Sequence, residues 1–498
     1  MTDRAIRTVT VVGGGIVGWS AAAALKRRLP GLDVSILPVP PSEDTMADRS
    51  ISTLPSILGF HADLGIGEDD GVLRTGSGFR IGTRFTGWTG AGSDYVHSYA
   101  RHGQAFAGAS FHLHWARAAQ QGRAPAFDTF SPAAALAHAA RFAPPSDDPA
   151  APLGGFEYGL YLDPERYGAM LRAFARHCGV KELAGTLLGV RVGEDGGIDA
   201  LALDGARAHR ADLFVDATGP AARLRSALAD RREDWRRWLP CDRVLVAAAP
   251  PPAEPALLDR VTAVAVGWRW SAASPGGTGH GLAYASAHSS DAKAARLLRA
   301  TTGAGATAPP IAIAAGTRPE PWRRNCVAIG EAATTIEPLE WCALHLAHSA
   351  IDRVIAMLPD RDFADVELAD YNRSHMAEAT RVRDFLALHY LTAQRPEPFW
   401  REAAAVEPPP TLAHTLTLFR ERGRLPFHEE ETFSRDSWLA VLFGQDVMPR
   451  RVDPLAEQIP ESQAQQVMAA MRRKIADALP LVPTHAAFLA AQFRQIAR

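Results

Sequence analysis

Three glycines with the spacing that a bound dinucleotide requires lie near the start of the chain. Gly13, Gly15 and Gly18 follow the alternating apolar run Thr8–Val12 and precede the alanine-rich stretch Ala21–Leu25. In a strand–turn–helix unit, the first glycine allows the tight turn, the second lets the backbone approach a pyrophosphate, and the third lets the helix pack closely on the strand. The pattern therefore predicts a site for FAD or NAD, although a glycine turn in an ordinary βαβ unit has the same appearance. The residues expected to contact the cofactor are Gly13, Gly14, Gly15, Ile16, Val17 and Gly18.

The elements around this turn predict an α/β fold. Asp33–Leu37 is expected to form the second strand, and the apolar stretch 211–219 is expected to be a strand that ends in the turn Asp216–Gly219. A third strand–turn unit is expected at Asn325–Glu331. The end of the second strand usually carries an acidic residue for the ribose hydroxyls, but this chain has Pro38 there.

The later part of the chain has a different character. From about residue 365 onward the pattern predicts mostly helices, with amphipathic periodicity at Ala369–Tyr390 and Glu461–Leu479. The run Ala133–Pro152 is rich in alanine and proline, and we expect a surface excursion there. These patterns predict one region with a dinucleotide core and another made of helices.

Composition excludes several classes of function. A formal net charge of −2 over 498 residues gives no electrostatic reason to expect nucleic acid or an anionic membrane as a partner. No apolar run approaches the roughly 20 residues of a transmembrane helix. The four cysteines are scattered without zinc spacing, which predicts reduced thiols in a cytoplasmic protein. His112 and His114 would share a face only on a strand, and without an evident third ligand we expect no metal site.

Several further segments, taken in order, resemble the flavin-dependent tryptophan halogenases. The glycine turn followed by Trp19 is similar to the opening motif of that family, and Gly267–Trp270 resembles the first half of its WxWxIP signature. Ile336–Glu340 is similar to the stretch beside the family's halide site, and Arg383–Tyr390 resembles the helix that follows. The resemblance covers essentially the whole chain. It implies an FAD-binding Rossmann-type core of the flavin monooxygenase and halogenase kind, with a mostly helical C-terminal cap.

The resemblance also implies a chemistry and a set of partners. A separate reductase supplies reduced FAD, whose reaction with oxygen and halide gives hypohalous acid, and a tunnel leads this oxidant to an electron-rich aromatic substrate. We expect the substrate to be an indole or tryptophan-like molecule or a peptide side chain. The sequence leaves open whether the protein forms a homodimer. The expected domains are an FAD-binding domain at residues 1–360, with interleaved strands on the substrate side, and a helical substrate cap at 361–498.

Individual roles follow from the same resemblance, position by position. Arg80 stands where the family has its catalytic lysine, and Glu340 matches its glutamate partner. The backbone amides of Cys342 and Ala343 match those that hold the halide. The further residues expected to contact the cofactor are Ser50, Glu331 and Leu344. The residues expected along the tunnel or at the substrate are Trp268, Trp270, Phe111 and Trp438.

Departures from the family pattern concentrate at the positions expected to bind the cofactor and to carry out the reaction. Arg80 cannot lose its proton as a lysine can, and the bulky Trp341 follows Glu340 where the family has small or hydroxylic residues. Ile51 replaces an acidic residue of a loop near the cofactor, and Ser271 begins the half of the tryptophan signature that is missing. The alternatives to a halogenase are therefore a flavin-dependent monooxygenase that uses no halide and a non-catalytic relative that binds a ligand or a partner protein.

Overall fold

The structure is a computed structural model that describes residues 4–69, 71, 75–148, 151–304 and 307–496. The strands are β1 Thr8–Val12, β2 Asp33–Leu37, β3 Gly78–Arg80, β4 Gly82–Thr86, β5 Asp94–Ser98, β6 Gly159–Tyr161, β7 Lys181–Glu182, β8 Leu187–Val192, β9 Ile198–Leu203, β10 Arg207–His209, β11 Leu213–Asp216, β12 Glu233–Asp234, β13 Arg243–Ala249, β14 Leu258–Val264, β15 Gly267–Ser274, β16 Gly277–Tyr284, β17 Ile311–Ala312, β18 Gly316–Thr317, β19 Trp322–Arg323, β20 Cys326–Ala328 and β21 Thr334–Thr335. The α-helices are α1 Ile16–Arg28, α2 Ser56–Leu64, α3 Phe111–Gln120, α4 Pro132–His138, α5 Pro164–His177, α6 Asp291–Thr302, α7 Cys342–Ala356, α8 Asp365–Leu391, α9 Pro398–Ala404, α10 Pro410–Arg422, α11 Arg435–Gly444, α12 Glu461–Ala478 and α13 His485–Ile496.

Packing divides the chain into two compact units, each built from three separate stretches. Unit 1 consists of Met1–Ser77, Leu162–Val244 and Pro309–Thr380. Unit 2 consists of Gly78–Tyr161, Leu245–Ala308 and Arg381–Arg498. The expected domains, an FAD-binding domain at residues 1–360 and a helical substrate cap at 361–498, stay a prediction.

Unit 1 is organised around a six-stranded sheet with the order β19-β20-β11-β1-β2-β7. Strand β1 runs parallel to both β2 and β11, with Val11 opposite Ile36 and Val215. A parallel strand in the middle of a sheet is covered on both faces, which explains why four of the five residues of β1, Thr10 included, are buried. Helix α1 lies against α5 and α7, and its first ten residues are all buried. The expected α/β class with a Rossmann-type core is confirmed.

Two glycines between β1 and α1 are required by the backbone. Gly13 has a φ of +139°, and a Cβ atom there would overlap the carbonyl group of Ala217. A Cβ atom on Gly18 would overlap the carbonyl oxygen of Gly13. A larger residue at either position would push the helix away from the strand that precedes it.

Unit 2 contains a mainly antiparallel sheet in which the strand order is β13-β16-β15-β14-β4-β5. The pair β14–β4 is parallel and places Asp259 opposite Thr83. Strands β3 and β6 form a separate antiparallel pair in which Arg80 lies opposite Gly159. These short strands fix the backbone on either side of Arg80.

The helical character of the C-terminal part agrees with the sequence, because α8 and α12 cover the two predicted amphipathic stretches. The expectation of a surface excursion at Ala133–Pro152 was wrong in its first part. Helix α4 begins with Pro132 in its first turn, and the Ser131 hydroxyl accepts a bond from the Ala134 N–H. Small alanine side chains let this helix pack closely, and its buried residues include Ala133, Ala134 and Leu136. Among the described residues, no helix combines the length and apolar character needed to cross a membrane.

Candidate functional site

The glycine turn of unit 1 forms one wall of a cleft at the ends of the parallel strands. The N–H groups of Gly13 and Gly14 donate to the carbonyls of Leu37 and Val39, at 3.0 Å and 2.6 Å, so the turn is tied to the end of β2. The cleft is lined by Gly15, Val17, Val39, Pro41, Thr45, Asp48, Ala217, Thr218, Gly219, Ile329 and Glu331. This is the position at which an open α/β sheet binds its ligand.

A carboxylate of the chain itself lies at the N-terminal end of α1. Asp48 Oδ1 accepts a bond from the backbone N–H of Ile16, the first residue of the helix, at 2.5 Å. Both carboxylate oxygens lie so close to Gly15 that a Cβ atom there would overlap them. Burial raises the pKa of Asp48 against the opposing effects of this bond and of the Arg49 charge. The helix end that would face a cofactor phosphate therefore already faces an anion.

A second carboxylate anchors the segment Ser42–Ser50, which carries Asp48. Glu331 is buried and accepts bonds from the N–H groups of Met46 and Ala47 at 2.9–3.0 Å. Burial raises the pKa of Glu331 to about 7, although the two N–H groups act in the opposite direction. With this segment in place, the cleft has a cavity of about 10 Å³, which is barely enough for one water molecule. The residue types suit a dinucleotide, and in this arrangement the segment Ser42–Ser50 leaves little free space between them.

Of three other residues in unit 1, Asp216 has a structural role, and Ser50 and Leu344 do not line the cleft. The Asp216 carboxylate accepts bonds from the N–H groups of Thr218, Leu224 and Arg225, so it closes the turn after β11. Ser50 and Leu344, both expected at the cofactor, are buried and are not among the residues that line the cleft. Their expected contacts with the cofactor stay predictions.

The segment before α7 has an unusual backbone. Glu340 and Trp341 both have left-handed conformations, with φ values of +61° and +59°, and both side chains are buried. Such conformations cost of order 1–3 kcal/mol each in residues other than glycine, and they persist where the surroundings impose them. They lie directly before α7, a 15-residue helix whose first two residues are Cys342 and Ala343. The N-terminal end of a helix favours an anion.

In unit 2, Arg80 lies at the centre of a buried polar network. Its Nε donates to Asp259 Oδ2 at 2.7 Å, and the side chains of both residues are 0% exposed. Its two terminal nitrogens donate to the Tyr99 hydroxyl and, at 2.7 Å, to Thr83 Oγ1. Burial, together with the Asp259 carboxylate, raises the pKa of the neighbouring Tyr161 phenol. The guanidinium is thus held by groups from several strands and has a counter-charge of its own.

Trp268 and Trp270 lie two residues apart on β15 and share one face of the strand. Their rings lie 5.5 Å apart, and both are almost fully buried. Trp268 Nε1 donates to the Tyr390 hydroxyl at 2.7 Å. Trp270 lies opposite Gly281, where a Cβ atom would overlap its ring. The pair is well packed inside unit 2, and its expected place along a tunnel stays a prediction.

Phe111 begins α3, which settles the question left open for His112 and His114, because these histidines lie on a helix and not on a strand. Phe111 lines an open pocket of about 410 Å³, whose lining also includes Arg101, Arg435, Asp436 and the histidines His102 and His112. Trp438 is buried in α11, with its indole N–H directed at Glu431 and the Arg381 guanidinium over its ring. Within the described residues, no group of three potential metal ligands was found.

Comparisons with known proteins decide the family. Residues 8–461 match the model of the tryptophan halogenase family. The chain is 34% identical to BrvH, a flavin-dependent halogenase from Brevundimonas sp. BAL3; the structures superpose with a TM-score of 0.92 over 98% of this chain and 100% of that one. Xcc4156, a flavin-dependent halogenase from Xanthomonas campestris, gives 31% identity and a TM-score of 0.92 over 98% of this chain and 99% of that one. The tryptophan 6-halogenase SttH from Streptomyces toxytricini is 25% identical over the full length of both chains.

The chain belongs to the tryptophan halogenase family. As a member of that family it is a flavoprotein oxidoreductase that uses reduced FAD from a separate reductase. The resemblance drawn from the sequence is confirmed.

For this tryptophan halogenase family member, sequence reasoning missed the partners of its most unusual residue. Asp259, Tyr99 and Thr83 hold Arg80, and none of them has a motif that marks it. The available signal was physical: a buried arginine needs a carboxylate partner, and Asp259 is the one carboxylate residue of β14. Asp48 had no comparable signal, because it lies in a polar loop among other acidic residues.

Proposed function

We propose that this protein halogenates an electron-rich aromatic substrate such as an indole. The observation that carries the proposal is the turn at Glu340 and Trp341, where two consecutive buried residues in left-handed conformations lead into the start of α7. We propose that this turn directs the Glu340 carboxylate and the amides at the helix start, which favour an anion, toward a halide-derived oxidant. Bound reduced FAD would supply the oxygen chemistry, and the side chains of this protein position the oxidant and the substrate.

Within unit 1, the proposed roles follow from this turn. The amides of Cys342 and Ala343 hold the halide, because the end of a helix favours a negative charge. Glu340 holds a proton or a hydrogen-bonded oxidant at its carboxylate oxygens. The bulky Trp341 narrows the space around the halide, and its buried ring helps to exclude water.

In unit 2, we assign Arg80 a positioning role. A guanidinium stays protonated and is a poor nucleophile, so it cannot be chlorinated on nitrogen as readily as a lysine. The bonds to Asp259, Tyr99 and Thr83 fix its plane, and any remaining N–H donor capacity has a defined direction. We propose that Arg80 orients the electrophile or the substrate through hydrogen bonds.

The proposed substrate is a small aromatic molecule that carries a charged group. The pocket beside Phe111 has a volume within the usual range for small-molecule sites, with Phe111 and Leu439 to pack against a ring. The lining residues Arg101 and Arg435 suit a carboxylate group, and Asp436 suits an ammonium group. The related SttH is named a tryptophan 6-halogenase, which supports an indole as the first candidate substrate. The four scattered cysteines, which form no disulfide in this structure, favour the cytoplasm.

A monooxygenase that uses no halide is the second candidate. The observation that favours it is that Arg80, which is paired with Asp259 and stays protonated, stands where a lysine able to react with hypohalous acid would be needed.

The test supplies the protein with FAD, a flavin reductase, oxygen, indole or tryptophan, and chloride or bromide, and it analyses the products by mass spectrometry. We expect a product with the isotope pattern of one added halogen, formed only when halide is present. Glu340→Gln should lower kcat at least a hundredfold, which is within the range for a lost acid–base group. Glu337→Gln, on the same segment and equally buried, is the matched control and should keep more activity. A hydroxylated product without halogen would support the second candidate, and flavin oxidation without any product would refute both.

A further inference from the structure

The N-terminal end of α1 holds the group that a flavin diphosphate would have to replace. In dinucleotide folds, the first N–H groups of this helix donate to the pyrophosphate. Here the Ile16 N–H donates to Asp48 at 2.5 Å. The Asp48 carboxylate also lies against Gly15, the glycine whose missing side chain would otherwise let a phosphate approach. An anion from the chain therefore occupies the place of the anion from the cofactor.

The position of Asp48 is fixed by its own bond to Ile16 and also by bonds to the residues that precede it. Glu331 accepts bonds from the N–H groups of Met46 and Ala47, which immediately precede Asp48 in the chain. Ser50 N–H donates to the Ala47 carbonyl, and Ser42 Oγ donates to Asp44 at 2.5 Å, so the segment Ser42–Ser50 has its own internal bonds. Asp48 is thus presented to the helix by an ordered turn, and the cavity that remains is about 10 Å³.

We propose that Asp48 sets the flavin affinity of this protein by acting as an internal competitor for the diphosphate-binding end of α1. FAD binds only after the Asp48 carboxylate has left the Ile16 N–H and the segment Ser42–Ser50 has moved out of the cleft. The inference rests on the proposed flavin-dependent function. It concerns cofactor binding alone, whatever reaction follows.

The size of the effect follows from the bond that is lost. A hydrogen bond from a backbone N–H to a charged group is equivalent to about ten- to a hundredfold in a binding constant. Removing the Asp48 charge should therefore lower the Kd for FAD by at least tenfold. The gain should be larger for Asp48→Ala than for Asp48→Asn, because the asparagine oxygen can still accept the bond from Ile16.

The experiment measures FAD, ADP and riboflavin binding by titration calorimetry on the full chain. Asp48→Asn and Asp48→Ala are compared with the natural protein, and Asp44→Asn is the matched control, because Asp44 is an acidic residue of the same segment that bonds to Ser42. Circular dichroism verifies that each variant is folded. We expect both Asp48 variants to bind FAD and ADP at least tenfold more tightly, with riboflavin and the Asp44 variant changed by less than twofold.

Two results would overturn the inference. One is an unchanged Kd for FAD and ADP in both folded Asp48 variants. The other is an equal gain for riboflavin, which has no diphosphate and so cannot compete with Asp48 at the helix end. The reaction is assayed separately. Tighter FAD binding in the Asp48 variants without a halogenated product would leave this inference standing and refute the proposed function. A halogenated product with unchanged FAD binding would refute this inference and leave the proposed function standing.

Discussion

The buried pair of Arg80 and Asp259 gives the sharpest prediction about stability. We consider Arg80→Met, Asp259→Leu and the double variant as a mutant cycle. Each single change leaves one charge without its counter-charge at a site where both side chains are 0% exposed. Breaking a buried pair in this way costs about 3–5 kcal/mol, whereas replacing both partners with apolar residues costs much less.

The coupling energy can be worked out from the geometry. The donor and acceptor atoms lie 2.7 Å apart, which places the charge centres about 4 Å apart, and at an effective dielectric constant of about 20 their attraction is about 4 kcal/mol. We therefore expect the double variant to be at least about 2 kcal/mol more stable than the sum of the single effects predicts. The exposed pair of Arg84 and Asp94 in the same unit is the matched control, with an expected coupling below about 1 kcal/mol.

The assay is urea unfolding followed by circular dichroism and tryptophan fluorescence. Both the midpoint and the slope must be compared, because a chain with two compact units can unfold in steps. Single effects that simply add, or a coupling no larger than that of Arg84 and Asp94, would show that Arg80 is not held by Asp259 as an isolated buried pair.

Three further predictions follow from the described contacts. The pKa of Glu331 is raised from 4.5 to about 7, so this residue stabilises the fold at low pH, and the contribution is lost as pH rises from about 4.5 to 7. Between pH 4.5 and 8, the free energy of unfolding of the natural protein should fall by about 3 kcal/mol more than that of Glu331→Gln. Parallel curves of stability against pH for the two proteins would contradict this. Gly18→Ala should cost about 1–3 kcal/mol by urea unfolding because its Cβ would overlap the Gly13 carbonyl, while Gly31→Ala, with nothing within 4 Å, should change stability little; equal effects would argue against the close approach. Trp268→Phe removes the donor of the 2.7 Å bond to Tyr390 and should lower the free energy of unfolding by about 1–3 kcal/mol; a loss below 0.5 kcal/mol would mean that the bond contributes little.

The sequence by itself determined the parts of this protein that depend on local rules. A strand, a glycine turn and a helix in succession are specified by the residues of that one stretch, since the turn needs glycine and the strand and helix have different periods. The same is true of the amphipathic helices α8 and α12. Because such motifs occur in a fixed order along the chain, the family could also be identified from the sequence.

Local patterns were less informative where short elements pack into the interior. The run beginning at Ala133 has few large apolar residues and several prolines, which is typical of surface loops. In the structure, the small side chains of α4 are buried because they allow close packing. Burial there depends on what covers the helix, and the pattern of the segment does not contain that information.

Only the tertiary structure decided what each charged group in the candidate sites does. Arg80 and Asp259 are 179 residues apart in the chain, and Glu331 lies 284 and 285 residues from the two residues whose N–H groups donate to it. The sequence can indicate that a buried charge needs a partner, but the partner is fixed by which strands and loops the fold brings together. For the same reason, the sequence predicted a phosphate site at α1, and the fold placed the carboxylate of Asp48 there.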